Sequence, residues 1–335
     1  MDEQLETATL RSAGRVPDFC LSHSRGVVPS ECTRLPQRRW MAIALARDSS
    51  ECHDTAVSSF LHRRPSRPLD RFVESMWICR NEPAPRRFER VLPTGGAQLV
   101  INLAEDQTRV YRDEAEGLAC VTGSGSILTG LTSRAQIIDS DEQMYVAGIV
   151  FRPGGTVPFT AFPAHELTDI DVPLDAIWGE AATRRLRDQL LEAPTPEAAL
   201  DALEDALRLV SIDRSCHPAV AFALDRFRAR PAPVRVSDIT AAVGLSSKRF
   251  IERFRSDVGV TPKRYCRLLR FREAVGVAHR LSGPQWAALA ASCGYVDQSH
   301  FIHEFREFSG ITPGTYERLR TPFQNHVTFL QSGEA

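Results

Sequence analysis

Two periodicities divide the chain. From about Pro68 to Arg152 apolar residues come in short runs, such as Gln98–Leu103 and Met144–Phe151. Pro93-Thr94-Gly95-Gly96 and Gly123-Ser124-Gly125 punctuate them. Runs of that length between turn residues predict strands. Many short strands in sequence predict a small antiparallel barrel or sandwich. From about Trp178 the period becomes helical. Leu186 and Leu190 lie one turn apart, and beyond the break at Pro194-Thr195-Pro196 the residues Leu200, Leu203, Leu207 and Val210 follow a 3-4-3 spacing. That leucine seam spans fewer than two heptads, so packing within its own domain is favoured over a second copy of the chain. Residues 1–60 keep neither period and are expected to be a poorly ordered extension. Nothing before Met41 reads as a folding element, which makes Met41 an alternative to Met1 as the translation start.

The most informative pattern is a repeat. Residues 250–265 and 301–316 share Phe, Ile, Phe, Arg, Gly, Thr, Pro and Tyr, 8 of 16 positions at an offset of 51. Upstream, Gly244 falls on Gly294, and Ile239-Thr240-Ala241 on Leu289-Ala290-Ala291. One supersecondary unit therefore occurs twice. In the first copy, Val236–Val243 predicts a short helix that ends at Gly244, where the chain must reverse. Ser246 caps the next helix, Phe250 and Phe254 form its inner face, and Gly259 ends it. Thr261-Pro262 then opens a long helix to about Arg280. The second copy runs Trp286–Cys293, Gly294, a cap at Asp297, the Phe301/Phe305 face, Gly310 and Thr312-Pro313. Each copy reads as helix-turn-helix. Ala290 allows close helix crossing, and Thr240 fills the matching place.

The fold class is accordingly α+β. The expected organisation is an extension at 1–60, a regulatory domain at 61–212 with a small antiparallel barrel or sandwich followed by helices, an all-α domain at 215–321, and a tail at 322–335.

Charge sharpens this division. The net charge of 335 residues is −1, yet residues 217–320 carry 17 Lys and Arg against 9 Asp and Glu, +8, and residues 1–216 carry −8. An acidic front joined to a basic back points to an anionic partner for the back domain. Of 41 basic residues only Lys248 and Lys263 are lysine; the remaining arginines suit phosphate and guanine, although codon bias in a GC-rich genome would account for most of the preference. At 43% hydrophobic and 25% charged the composition is globular. No apolar run reaches the ~20 residues of a membrane helix. The short Met41–Ala46 run after Arg38-Arg39 is internal and too brief for a signal peptide. A cytoplasmic protein with no membrane partner is the expectation. The eight cysteines contain no CxxC pair and read as reduced thiols.

Two such units in about 105 residues resemble the DNA-binding domain of the bacterial AraC/XylS family of transcription regulators. Gly294-Tyr295-Val296-Asp297-Gln298-Ser299-His300-Phe301, Phe305-Arg306 and Gly310-Ile311-Thr312-Pro313 carry the likeness, which covers roughly 215–321. A weaker one covers 60–210. Arg90–Gly96, Phe151–Gly155, Glu166-Leu167-Thr168-Asp169 and Trp178-Gly179 are similar to the sensor-type domain that precedes some such DNA-binding domains.

In helix-turn-helix geometry the N-terminal half of each second helix enters the major groove. Residues turned away from the Phe pairs are Ser247, Lys248, Ile251, Glu252 and Arg255 in the first copy, and Gln298, Ser299, Ile302, His303 and Arg306 in the second. The family resemblance places base-reading side chains at Lys248, Ile251, Glu252, Gln298, Ser299 and His303. Gln298 suits adenine, Lys248 guanine, Glu252 a cytosine amino group and Ile251 a thymine methyl. Arg255 and Arg306 lie late in their helices and suit phosphates. His300 and His303 have the i, i+3 spacing of metal ligands, but a pair falls short of the four ligands a structural site usually needs. Trp286 and the Phe pairs read as core rather than as stacking platforms.

The expected function is a transcription regulator, activator or repressor, whose front domain responds to an effector. Double-stranded DNA is the partner. RNA polymerase, a small-molecule effector and a second copy of the chain complete the set the reading admits. No cofactor, metal or catalytic residue is expected. The alternative is a barrel-domain enzyme fused to a DNA-binding domain. Against it, none of the nine histidines forms HxH, no cysteine cluster supports a zinc-bound thiol, and Gly123-Ser124-Gly125-Ser126 lacks the surroundings of a nucleophile elbow.

Overall fold

The strand-period half of the chain folds as two antiparallel sheets. In the computed structural model, residues 57–81, 88–114, 117–229 and 236–329 are described, all within one compact unit that spans 41–335. The first sheet is built from β1 (Val57–Arg63), β2 (Val73–Asn81), β4 (Gln98–Asn102), β7 (Ser126–Thr129), β9 (Tyr145–Phe151) and β10 (Asp171–Pro173). Its order is β1-β2-β9-β4-β7-β10. The second holds β3 (Phe88–Val91), β5 (Gln107–Glu114), β6 (Gly117–Ser124), β8 (Gln136–Asp139) and β11 (His326–Phe329). Its order is β11-β3-β8-β5-β6. The strands read from Gln98–Leu103 and Met144–Phe151 are the central pair β4 and β9, in register Leu99↔Ile149 and Ile101↔Ala147. These four side chains are buried in the cluster that the following helices complete.

The two sheets do not close into a barrel, so the sandwich-like form of the expectation is the one realised. Helices complete the front core. After α1 (Asp175–Trp178), α2 (Glu180–Glu192) brings Leu186 and Leu190 onto the first sheet. The hydroxyl of Thr195 caps α3 (Pro196–Val210), which adds Leu200, Leu203 and Leu207 to the same cluster; Val210 packs at its edge. Most of the stretch 1–60 lies outside the described residues, but β1 begins at Val57, inside it. The segment set apart as a tail, 322–335, contains β11, which pairs with β3 from His326↔Val91 to Phe329↔Phe88.

The back half is helical: α4 (Pro218–Ala229), α5 (Val236–Val243), α6 (Ser247–Val258), α7 (Pro262–Arg280), α8 (Trp286–Ser292), α9 (Gln298–Ser309) and α10 (Pro313–Leu319). Its core runs through Phe227, Phe250, Phe254, Tyr265, Phe271, Phe301, Phe305, Phe308 and Tyr316. Leu92, Leu131 and Val327 belong to that cluster too, so the helical core is finished by residues of the sheet half. No helix among the described residues is long and apolar enough to cross a membrane.

Candidate nucleic-acid interface

Local chemistry sets both helix-turn-helix units. The turns after α5 and α8 carry Gly244 at φ 67° and Gly294 at φ 78°. A Cβ at either site would meet nothing within 4 Å, so left-handed backbone, not crowding, is what demands glycine. The second helix of each unit is then capped by a side chain. Ser246 accepts from the N–H of Arg249 at 3.3 Å, and Asp297 from that of His300 at 2.7 Å. On the inner faces Phe250, Phe254, Phe301 and Phe305 have no exposure. Trp286 stacks on Phe301 with centroids 6.0 Å apart, as a core residue does. Thr240 and Ala290 are both buried at the crossings.

The outer faces hold the residues singled out from the sequence. On α6, Ser247, Lys248, Glu252 and Arg255 are exposed and Ile251 is half-buried. On α9, Gln298, Ser299, His303 and Arg306 are exposed, while Ile302 is half-buried against the core. Among the described residues Lys248, Arg255 and Arg306 have no carboxylate partner. Unpaired cations on a helix face are available to phosphates. His300 turns toward Glu304 at 3.8 Å, and no group of three or more His, Cys, Asp or Glu among the described residues could hold a metal.

The connector α7 starts at a Thr261 cap with Pro262 in its first turn and runs for 19 residues. Sequence reasoning missed how it is fastened to the second unit. Arg267 Nε lies 2.7 Å from the buried carboxylate of Glu304, and its Nη2 reaches Glu307. Arg270 and Arg264 add contacts of 3.5 Å to Glu304 and 3.4 Å to Glu307. Arg264 and Arg267 also lie over the Phe308 ring, and Arg270 over Tyr295. Burial pulls against ionisation of Glu307, yet the hydrogen bond and charge of Arg267 hold its carboxyl below the ordinary range. Burial pushes the Tyr295 hydroxyl well up, reinforced by the Glu304 charge. The signal was present in the three-residue spacing of Arg264, Arg267 and Arg270 and of Glu304 and Glu307.

A cleft of about 970 Å³ opens between the second sheet and the α6–α7 corner. Tyr111, Arg112, Val121, Arg134, Asp171 and Arg255 line it, so one of the two arginines expected at phosphates also borders this cleft.

Residues 239–319 match the family described as a helix-turn-helix domain, and residues 61–173 match a domain of unknown function. No curated protein matches the chain. Among solved structures, it is similar to an AraC-type DNA-binding-domain regulator from Chromobacterium violaceum, with 24% identity over 30% of this chain and 90% of the other, TM-score 0.28. The C-terminal domain of AraT, a response regulator from Geobacillus stearothermophilus, is 17% identical over 31% of this chain and 86% of that domain, TM-score 0.29. ToxT from Vibrio cholerae O395, bound to (E)-4-(8-methylnaphthalen-1-yl)but-3-enoic acid, is 12% identical over 78% of this chain and 98% of its own, TM-score 0.41.

Proposed function

We propose that this chain, which carries an AraC-type helix-turn-helix domain behind a domain of unknown function, is a DNA-binding transcription regulator that reads two successive major grooves. The observation that carries the reading is the twin build of α6 and α9. Both are side-chain-capped, both bury a Phe pair, and both turn a polar face outward. Their connector, at 19 residues and 1.5 Å per residue, is roughly 28 Å long, close to the ~34 Å between successive major grooves on one side of the duplex. In this reading Lys248, Ile251, Glu252, Gln298, Ser299 and His303 meet base edges, with Ser247 and Ile302 beside them and Arg255 and Arg306 on phosphates.

The net charge of +8 over 217–320 supports an anionic partner. The cleft beside α6 and α7 gives a small-molecule effector room at the boundary between the two halves. A second copy of the chain and RNA polymerase are further partners of a regulator of this kind. The alternative, a barrel-domain enzyme fused to a DNA-binding domain, would carry the same back half, and neither the match over 61–173 to a domain of unknown function nor any motif in the sequence favours it. Footprinting of the full chain on genomic sites selected by binding tests the proposal. Two protected elements about one helical turn apart on one face of the DNA are expected. A single protected element would overturn it.

A further inference from the structure

Between the sheets and the helical half lies a set of contacts that DNA reading does not use. Thr168 donates its hydroxyl hydrogen to the carbonyl of Gly259, the residue that ends α6, at 2.9 Å. The approach is close by construction: a Cβ on Gly259 would stand 2.8 Å from the Thr168 hydroxyl and 3.2 Å from the Ala164 carbonyl. The next residue, Asp169, holds a left-handed backbone at φ 59°. Its carboxylate accepts from both the N–H and the hydroxyl of Ser133, each at 2.5 Å. The Ser133 oxygen in turn accepts from Arg264 Nη2 at 3.0 Å, and the same guanidinium reaches Glu307 on α9. Two residues on, the N–H of Ala135 donates to the carbonyl of Phe308, in the last turn of α9, at 2.9 Å.

These contacts share a geometry. The contacts that leave the front domain meet the C-terminal end of a reading helix or the start of the connector between them, while the polar reading positions Lys248, Glu252, Gln298, Ser299 and His303 stay exposed. The arrangement therefore leaves the reading faces clear. It also gives the pair of helices a second support besides α7, and it gives the Glu166–Asp169 motif a role.

We propose that the front domain clasps the reading helices, with Thr168 on the end of α6, Ser133 (held by Asp169) on Arg264 at the start of α7, and the backbone N–H of Ala135 on the end of α9, and thereby fixes the spacing between the two DNA elements the chain accepts. The inference rests on the two-groove reading. A reading head supported only by α7 can flex about one line of contacts; a second support across both helix ends resists that motion.

The test uses the full chain and its selected site, rebuilt with zero, one, two or five extra base pairs between the elements. The double variant Thr168→Val/Ser133→Ala removes the hydroxyls and keeps the shape. Asp169→Asn is a second probe, since asparagine tolerates left-handed backbone while losing the charge. Gel-shift titration is expected to show that wild type discriminates strongly against one extra base pair. In the variants that penalty should shrink by about threefold to tenfold, the equivalent of one net hydrogen bond. Arg255→Ala, by contrast, should weaken every spacing alike. If folded clasp variants, checked by circular dichroism, keep the wild-type spacing profile, the clasp is overturned and the two-groove reading stands. If wild type itself ignores spacing, the two-groove reading falls and the clasp falls with it. Should the double variant not fold, Asp169→Asn decides the question by the same profile.

Discussion

The carboxylate of Glu304, wholly buried on the inner side of α9, lies 2.7 Å from Nε of Arg267 on α7. A carboxylate removed from water costs several kcal/mol unless it is paired, so this contact sets the register of the connector against the second reading helix. Arg267→Met should lower the unfolding free energy by about 3 kcal/mol, because a buried charge loses its main partner. Adding Glu304→Leu to that variant should recover most of the loss. Chemical denaturation of both variants measures this; equal stability of wild type and the single variant would refute it.

Base readout is expected to be concentrated in a few side chains. Gln298→Ala and Lys248→Ala should each relax preference at one or two base pairs, at about 1–3 kcal/mol for each base-edge pairing removed. Arg255→Ala should instead weaken all sequences together and reduce the slope of log affinity against log salt by about one. Selection from random DNA, run on each variant, checks the difference. Unchanged sequence preferences for both Gln298 and Lys248 variants would remove those residues from the interface.

The two elements of one site are expected to differ, since α6 presents Lys248 and Glu252 where α9 presents Ser299 and His303. An insertion of about five base pairs turns one groove to the far side of the duplex and should abolish most of the affinity. Retained affinity on such a site, measured by gel shift, would mean that one helix reads DNA alone.

Stability should also depend on pH through Glu142. Burial pushes its carboxyl up to about 7, and Arg109 at 3.7 Å offsets this only in part. A carboxyl whose folded pKa is raised above its ordinary 4.5 binds protons more tightly in the folded state. Its contribution is fully present below that ordinary value and is lost as pH rises through about 7. Melting temperature should therefore fall between pH 5 and pH 8 more steeply in wild type than in Glu142→Gln, by thermal denaturation across about that range. Parallel curves for the two proteins would exclude the effect.

What could be read before the structure was what short stretches encode by themselves. Ser246, Asp297, Thr261 and Thr312 each cap the helix they precede, since a cap needs only a hydroxyl or carboxylate at the right place. The Phe pairs declared the inner faces of α6 and α9 by one-turn spacing. What stayed hidden was pairing at long sequence separation. Nothing near Thr168 announces Gly259, 91 residues away, and Ser133 gives no sign of Arg264. The choice between a closed barrel and two open sheets has the same origin, because alternating burial along a strand is identical in both. Ile302 shows the limit from the other side: a helix-face argument places it outward, and packing draws it half into the core.

The short strand β11 follows the last helix and joins the sheet half at β3. The reading helices are thus not an appendage on a hinge but a loop whose two ends are both anchored in the same body: on one side the chain enters from α3, on the other it returns to the ladder with Val91 and Phe88. A doubly anchored loop cannot drift from its base by lengthening one linker. Its effective concentration at the interface stays high even when individual contacts break. Any transition that frees the reading helices completely must first strip the four-residue ladder of β11, or else proceed by unfolding. The β11–β3 ladder therefore ties the end of the helical half back to the second sheet.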